Sequence, residues 1–302
     1  MESFVKFSDK AFETFLMEAA NEKNFNHHII TREYLENLSY LDGMICQQDV
    51  TYPTYLLDGK NQETFVDNEL KSNELIFGKK VNKSTLKRPT LLFYKGDLSL
   101  IQSKNWFKNI AVIGVAKPNN ETDKAMLNNQ VAKEEILAVE KLVKNGLNIV
   151  SGLAKGCDAL AHKTCIKNNG KTIAILPSPI NQILPRENTK LAEEIVASGG
   201  LLLTEYFFEP DATNPYALVN RFIMRDRLQV YFSQKGVLLC ASYDKNLGDS
   251  GSRHAIGVAK SLNFPIFSLK INELMDEDIM QLNKNLIKSN VAKVFSIDEV
   301  TF

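Results

Sequence analysis

The chain is poor in the features that usually announce a compartment or a chemistry. It has four cysteines, Cys46, Cys157, Cys165 and Cys240, with no CxxC pair and no regular spacing, which fits reduced, packed thiols in a cytosolic protein rather than a disulfide framework or a structural zinc. No HExxH helix, GxGxxG fingerprint or GxxxxGK(S/T) loop occurs, so metalloprotease, dinucleotide-binding and ATP-hydrolysing readings lack a motif. No apolar run approaches the roughly 18 residues that span a bilayer. The opening MESFVKFSDKAFETF mixes acids and bases among phenylalanines and lacks the basic start and unbroken apolar core of a signal peptide. Net charge is missing too: 36 Lys plus Arg face 36 Asp plus Glu, so a polyanionic partner would have to be held by a local basic surface. These absences lead us to expect a cytoplasmic protein with no membrane association, no metal and no cofactor.

What is present is a globular composition, 44% hydrophobic and 24% charged over 302 residues, enough for one large domain and a small appendage. Apolar runs at 110–115, 147–151, 172–176, 201–204, 236–241 and 265–268 alternate with helical patterns near 122–145, 157–168, 188–198, 217–232 and 252–262. Gly146, Gly170, Gly199 and Gly200 sit where these helices should stop. Short continuous strands separated by helices predict an α/β fold: a Rossmann-like parallel sheet with helices on both faces. A small N-terminal helical segment is expected over 1–45, one helix carrying Phe4, Phe7, Phe12, Phe15 and Leu16 and a second running through Tyr34, Leu35 and Leu38. Residues 46–108 read as an irregular segment and 109–302 as the Rossmann-like domain, closing on a short helix and a strand at VFSI.

The most informative stretch is SGLAKGCDALAH, residues 151–162, which sets a glycine-rich turn and a lysine between a strand and a helix. Gly152 and Gly156 let the backbone approach an anion, a helix N-terminus offers unpaired N–H groups, and Lys155 adds a full charge. The same glycines also suit a turn that serves chain geometry alone. Downstream, in order, come GKTIAILPSPINQILPREN (170–188), LAEEIVASGGLLLTEY (191–206), NRFIMRDRLQ (220–229) and SGSRHA (250–255).

With these segments the chain resembles the DNA-processing protein A family, also called Smf or DprA, over about residues 88–270. That family's pattern is an SGLA-x-G-x-D-x-x-AH turn, a Y/L-P-x-x-N loop, an SE or TE step, an R-N/D-R helix and an SG-S/T turn. The resemblance implies a single-stranded DNA-binding protein that dimerises through its Rossmann-like domain and helps load the RecA recombinase during DNA uptake. The YP and LF-x-KG strings before residue 109 fit the same family, whereas the C-terminal segment is too short for the winged helix that some members append.

Several positions depart from that pattern. The first strand-to-helix turn reads Gly114-Val115-Ala116-Lys117-Pro118, with Ala116 where the family places arginine; Lys117 replaces its charge in part, without the bidentate fork. Leu184 stands for the tyrosine before Pro185, leaving Arg186 and Lys190 as phosphate-contact candidates. Ser250, Gly251 and Ser252 open a helix and either hold a second phosphate, with Arg253 and His254 following, or simply cap it. Tyr206 is either a platform for a base or a rim aromatic. Asp158 and His162, four apart on one helix, are either an acid–base dyad or a turn cap with a histidine packed beneath it.

On the helix over 220–232, Arg221, Arg225 and Gln229 share a polar stripe expected to face DNA. Arg227 falls on the apolar face, where its expected partner is Asp158, as structural support of the site. Two alternatives to a recombination mediator stay in view. One is a nucleotide sensor or defence module using the same turns; the other is a nucleotide N-glycosidase, whose PGGxGTxxE string is absent.

Overall fold

The computed structural model describes residues 6–20, 30–53, 89–214, 216–244 and 251–301. The short apolar runs become parallel strands because each is buried along its whole length and can pair on both sides. β3 (Asn109–Ile113), β4 (Asn148–Ser151), β5 (Thr172–Ile175) and β6 (Leu201–Thr204) are laid down outward in sequence order. On the other side of β3 follow β7 (Val237–Leu239), β8 (Ile266–Ser268) and β9 (Lys293–Val294).

The main helices between them are α4 (Glu121–Met126), α5 (Ala132–Lys144), α6 (Cys157–Lys167), α7 (Thr189–Ala197), α8 (Ala217–Tyr231), α9 (Ser252–Ser261) and α10 (Gln281–Lys288); a π turn, Leu127–Val131, joins α4 to α5. Alternation along each strand sorts them into two layers. Ile110, Val112 and Ile149 pack with Val139 and Leu142 of α5 and Ala161 of α6. Ala111, Ile113 and Val150 pack on the opposite face with Leu228 of α8 and Ile256 of α9. The Rossmann-like α/β architecture expected from the sequence is therefore observed, and all four cysteines are buried and free.

The stretch expected to be irregular departs from that reading. β1 (Gly43–Cys46) and β2 (Leu91–Gly96) pair antiparallel, Ile45 opposite Leu92, and β2 then pairs antiparallel with β6, Phe93 opposite Thr204. Leu91-Leu92-Phe93-Tyr94 is buried on both faces and so shows no period of two, which is why its pattern did not read as a strand. Helices α1 (Asp9–Ala19) and α2 (Arg32–Glu36) cover this edge, Phe15 meeting Phe93 and Phe207 edge to face, and a short α3 (Ser103–Trp106) leads into β3; Phe4 lies outside the described residues. At the other end, the expected VFSI strand is only Lys293–Val294, since Ile297 already begins α11 (Ile297–Thr301).

Strand order reverses at β3. The chain leaves β3 for β4 on one side and returns to β7 on the other, so a crevice opens beyond the C-terminal ends of β3 and β7. Val115 N–H donates to Ala241 O at 2.8 Å across this point.

Candidate nucleic-acid interface

Two turns converge beside the crevice, and the glycines in them are fixed by close approach. A Cβ at Gly152 would lie 1.2 Å from Arg225 Nη1, so only glycine fits under that guanidinium. Gly156, at φ +72, caps α6 from a conformation that disfavours other residues, and a Cβ there would lie 2.3 Å from Val115 O.

The amides of the first turn are already in use. Gly152 N–H and Ala154 N–H both donate to Asp158 Oδ2 at 3.2 Å, and Cys157 N–H donates to Val115 O. Asp158 thus fills, from within the chain, the place expected for an external anion at Gly152.

The Asp158 partnership expected of Arg227 belongs to Arg225. Arg225, expected on a solvent-facing stripe, is 6% exposed; its Nη1 lies 3.2 Å from Asp158 Oδ2 and its Nε 3.4 Å from Asp226 Oδ1. Arg227 is buried as expected, but its partner is Glu205: Nη2 donates to Oε1 at 3.0 Å and Oε2 at 3.1 Å. Burial pushes the Glu205 carboxyl up, and Arg227 draws it back only in part. From Arg225 to Tyr231 α8 is buried on every side, so a polar stripe there points to buried partners.

Arg221 is buried as well; it donates to Phe208 O at 2.7 Å, and its guanidinium carbon sits 4.1 Å from the Tyr206 ring centroid. Tyr206 is therefore covered by a cation instead of offering an open stacking face. Ser252 and Arg253 at the start of α9 are buried, Gly251 is its N-cap, and Ser250 lies outside the described residues.

His162 is wholly buried. The Thr172 hydroxyl donates to Ile149 O, so His162 Nδ1 donates its proton to Thr172 Oγ1 at 2.7 Å. Burial, aided by the charge of Arg225, lowers its pKa to about 3. It is a neutral packing group rather than half of an acid–base dyad.

Exposed cations gather on the outer rim. Asn188 Nδ2 donates to Leu153 O at 2.8 Å and Ala154 O at 3.2 Å, bolting the Arg186–Asn188 turn to the glycine-rich turn. This brings Arg186 and Lys190, both exposed, beside Lys155, whose side chain is 46% exposed. Lys155 pairs with Glu187 at 2.5 Å and holds that carboxyl below its usual range, with a smaller contribution from Lys117, which is also exposed. A surface groove of about 340 Å³ runs past Lys155, Gly156, Lys163 and Asn188. Neither Lys163 nor Asn188 is among the contact candidates read from the sequence; the sign of Asn188 is its place in the P-x-x-N loop, and Lys163 lies on the second turn of α6, just beyond Lys155.

Inside the crevice, a second cavity of about 430 Å³ is lined by Gly114 to Lys117, Asp158, Arg225, Asp226, Gln229 and the start of α9. Among the described residues no helix is long and apolar enough to cross a membrane, and no group of three His, Cys, Asp or Glu side chains is placed to hold a metal.

A mainly parallel sheet that reverses at β3, with braced turns and basic side chains at its strand ends, defines a Rossmann-like α/β domain. Residues 72–301 match the family model of DNA recombination-mediator protein A, and the chain belongs to that family.

The chain is 33% identical over 181 residues to Protein Smf of a Synechocystis strain, covering 60% of this chain and 40% of that protein. It is 36% identical over 121 residues to DNA processing protein DprA of Streptococcus pneumoniae, covering 39% and 36%. These matches span well under two thirds of the relatives' length. Among solved structures, DprA of Streptococcus pneumoniae shares the fold at a TM-score of 0.62 and 23% identity, covering 96% of this chain and 90% of that one. DNA processing protein A of Helicobacter pylori, described for its single-stranded DNA binding mode, aligns at a TM-score of 0.55 and 27% identity, covering 71% and 86%.

Proposed function

We propose that this protein is a single-stranded DNA-binding recombination mediator, acting as a cytoplasmic homodimer that protects an incoming strand during DNA uptake and passes it to the RecA recombinase. The observation that carries the DNA-binding part is the gathering of exposed cations around two turns bolted together through Asn188: Lys155 on one, Arg186 on the other, Lys190 at the start of the helix that follows, and Lys117 from a third turn within the field of Glu187. Phosphates sit on these exposed cations and along the groove past Lys163, leaving bases accessible. Family membership and the single-strand binding described for the Helicobacter pylori protein support the same reading. The role is binding rather than catalysis: His162 is buried and neutral, and Asp158 is committed to two amides and Arg225.

Fluorescence anisotropy with a labelled oligothymidylate tests this. Log affinity should fall with log salt at about 0.7 per phosphate neutralised, and Lys155→Ala should weaken binding and flatten that slope. A salt-independent affinity, or equal affinity for duplex of the same length, would overturn it.

A further inference from the structure

We propose that the opposite end of the sheet, where β3 begins, is a docking surface for an acidic segment of a partner protein that carries an apolar side chain among its carboxylates. α3 crosses this end and leaves Phe107 47% exposed, with Trp106 half-buried beside it. Trp106 is held in place. Its indole N–H donates to Tyr231 O at 3.0 Å, at the end of α8, and its ring lies 6.0 Å from that of Phe264, just ahead of β8.

Lysines surround these rings. Asn148 N–H donates to Lys108 O at 2.9 Å and Lys235 N–H donates to Asn109 O at 3.0 Å, so strand pairing fixes both lysines at the start of β3. Lys104 lies one turn earlier, on α3, and Lys108 Nζ stands 5.7 Å from the centre of the Phe107 ring. None of the three meets a carboxylate among the described residues. The chain as a whole has 36 acids for its 36 bases, so an unmet cluster of one sign is a local surplus that draws carboxylates from outside.

An exposed aromatic ring set among cations suits an acidic peptide with an apolar anchor, the ring and the anchor forming the dry centre and the ion pairs the rim. A single DNA strand fits less well. Its bases bind by stacking on open ring faces, whereas Lys108 stands over Phe107 and Phe264 lies against Trp106. The surface is also at the far end of the strands from Lys155 and Arg186, whose turns follow β4 and β5, so it stands apart from the DNA-binding reading.

Trp106 is the chain's single tryptophan, so its emission reads this surface alone. The full chain is titrated with the peptide Glu-Glu-Phe-Glu-Glu-Leu-Glu-Glu, with a version in which lysine replaces every glutamate, with one in which serine replaces the two apolar residues, and with oligothymidylate. The acidic apolar peptide is expected to change Trp106 emission and to bind at least about tenfold more tightly than either control peptide. Phe107→Ser and Lys108→Glu, both at exposed positions, should each weaken it by about tenfold or more.

Oligothymidylate should leave Trp106 emission unchanged, and Lys155→Glu should abolish oligothymidylate binding without altering affinity for the peptide. Peptide binding by a parent protein that ignores DNA would sink the mediator reading and leave this one standing. Trp106 emission indifferent to the acidic peptide, equal affinity for the lysine version, or folded Phe107→Ser and Lys108→Glu proteins that bind like the parent would overturn the proposal. A response of Trp106 to oligothymidylate in place of the peptide would assign the surface to nucleic acid and overturn it as well.

Discussion

Arg225 Nη1 lies 3.2 Å from Asp158 Oδ2, in the space that a side chain at position 152 would occupy. Both groups are buried, and the same carboxylate oxygen receives two backbone amides. Removing the guanidinium leaves an uncompensated charge in a low-dielectric site, so Arg225→Ala should cost about 3–5 kcal/mol of stability. Lysine should not rescue it, because one ammonium cannot span Asp158 and Asp226 together. Equilibrium urea unfolding checks this; an Arg225→Ala protein that unfolds at the parent's midpoint would show that the pair is not what holds the turn.

A double-mutant cycle separates the two arginine pairs. Arg227 and Glu205 share two hydrogen bonds, so their coupling energy should exceed about 1 kcal/mol, whereas Arg227 and Asp158 should be additive within about 0.5 kcal/mol. The reverse ranking would restore the partner expected from the helix pattern.

Those two arginines show what the sequence could and could not reveal. The span of α8 was legible because fifteen residues carry a helical period between clear breaks. The partners were not, since Asp158 stands 67 positions from Arg225 and Glu205 stands 22 from Arg227, and periodicity speaks only of near neighbours. The strand ladder from β3 to β8 was legible as runs of buried aliphatics, whereas β2 reads as irregular once burial on both faces removes its alternation. The basic rim was legible residue by residue but not as a surface. Asn188 brings the two turns together through backbone carbonyls, to which any sequence contributes equally.

On the proposed DNA-binding reading Glu187 competes with the strand for Lys155, since its carboxylate sits on Lys155 and within the field of Lys117. Glu187→Gln should therefore raise affinity for single strands and steepen the salt dependence by about 0.7, one phosphate's worth. Anisotropy titrations at three salt concentrations measure both. An unchanged slope would mean that Lys155 does not reach the strand.

Stability should depend on His162 over a definite pH window. Its folded pKa, about 3, lies below the ordinary 6.5, so the unfolded chain takes up a proton that the native state refuses. The stabilisation is complete above about pH 6.5 and is lost as pH falls from there toward 3. His162→Gln should flatten the acid limb of a melting-temperature profile while leaving the neutral baseline lower, because the hydrogen bond to Thr172 is weakened. A parent-like acid limb in that variant would assign the transition to other groups.

The antiparallel ladder of β1 and β2 also governs how this chain can be divided. β6 would be an outermost strand if the molecule began at residue 109, with the backbone groups that now meet Phe93 to Gly96 open to solvent. An uncovered, wholly apolar Leu201-Leu202-Leu203 is a template for another chain's strand, so a trimmed version should be prone to self-association through that edge. β2, with β1 beyond it, thus acts as a guard on the sheet, and α1, stacked on it through Phe15 against Phe93, keeps that guard in place.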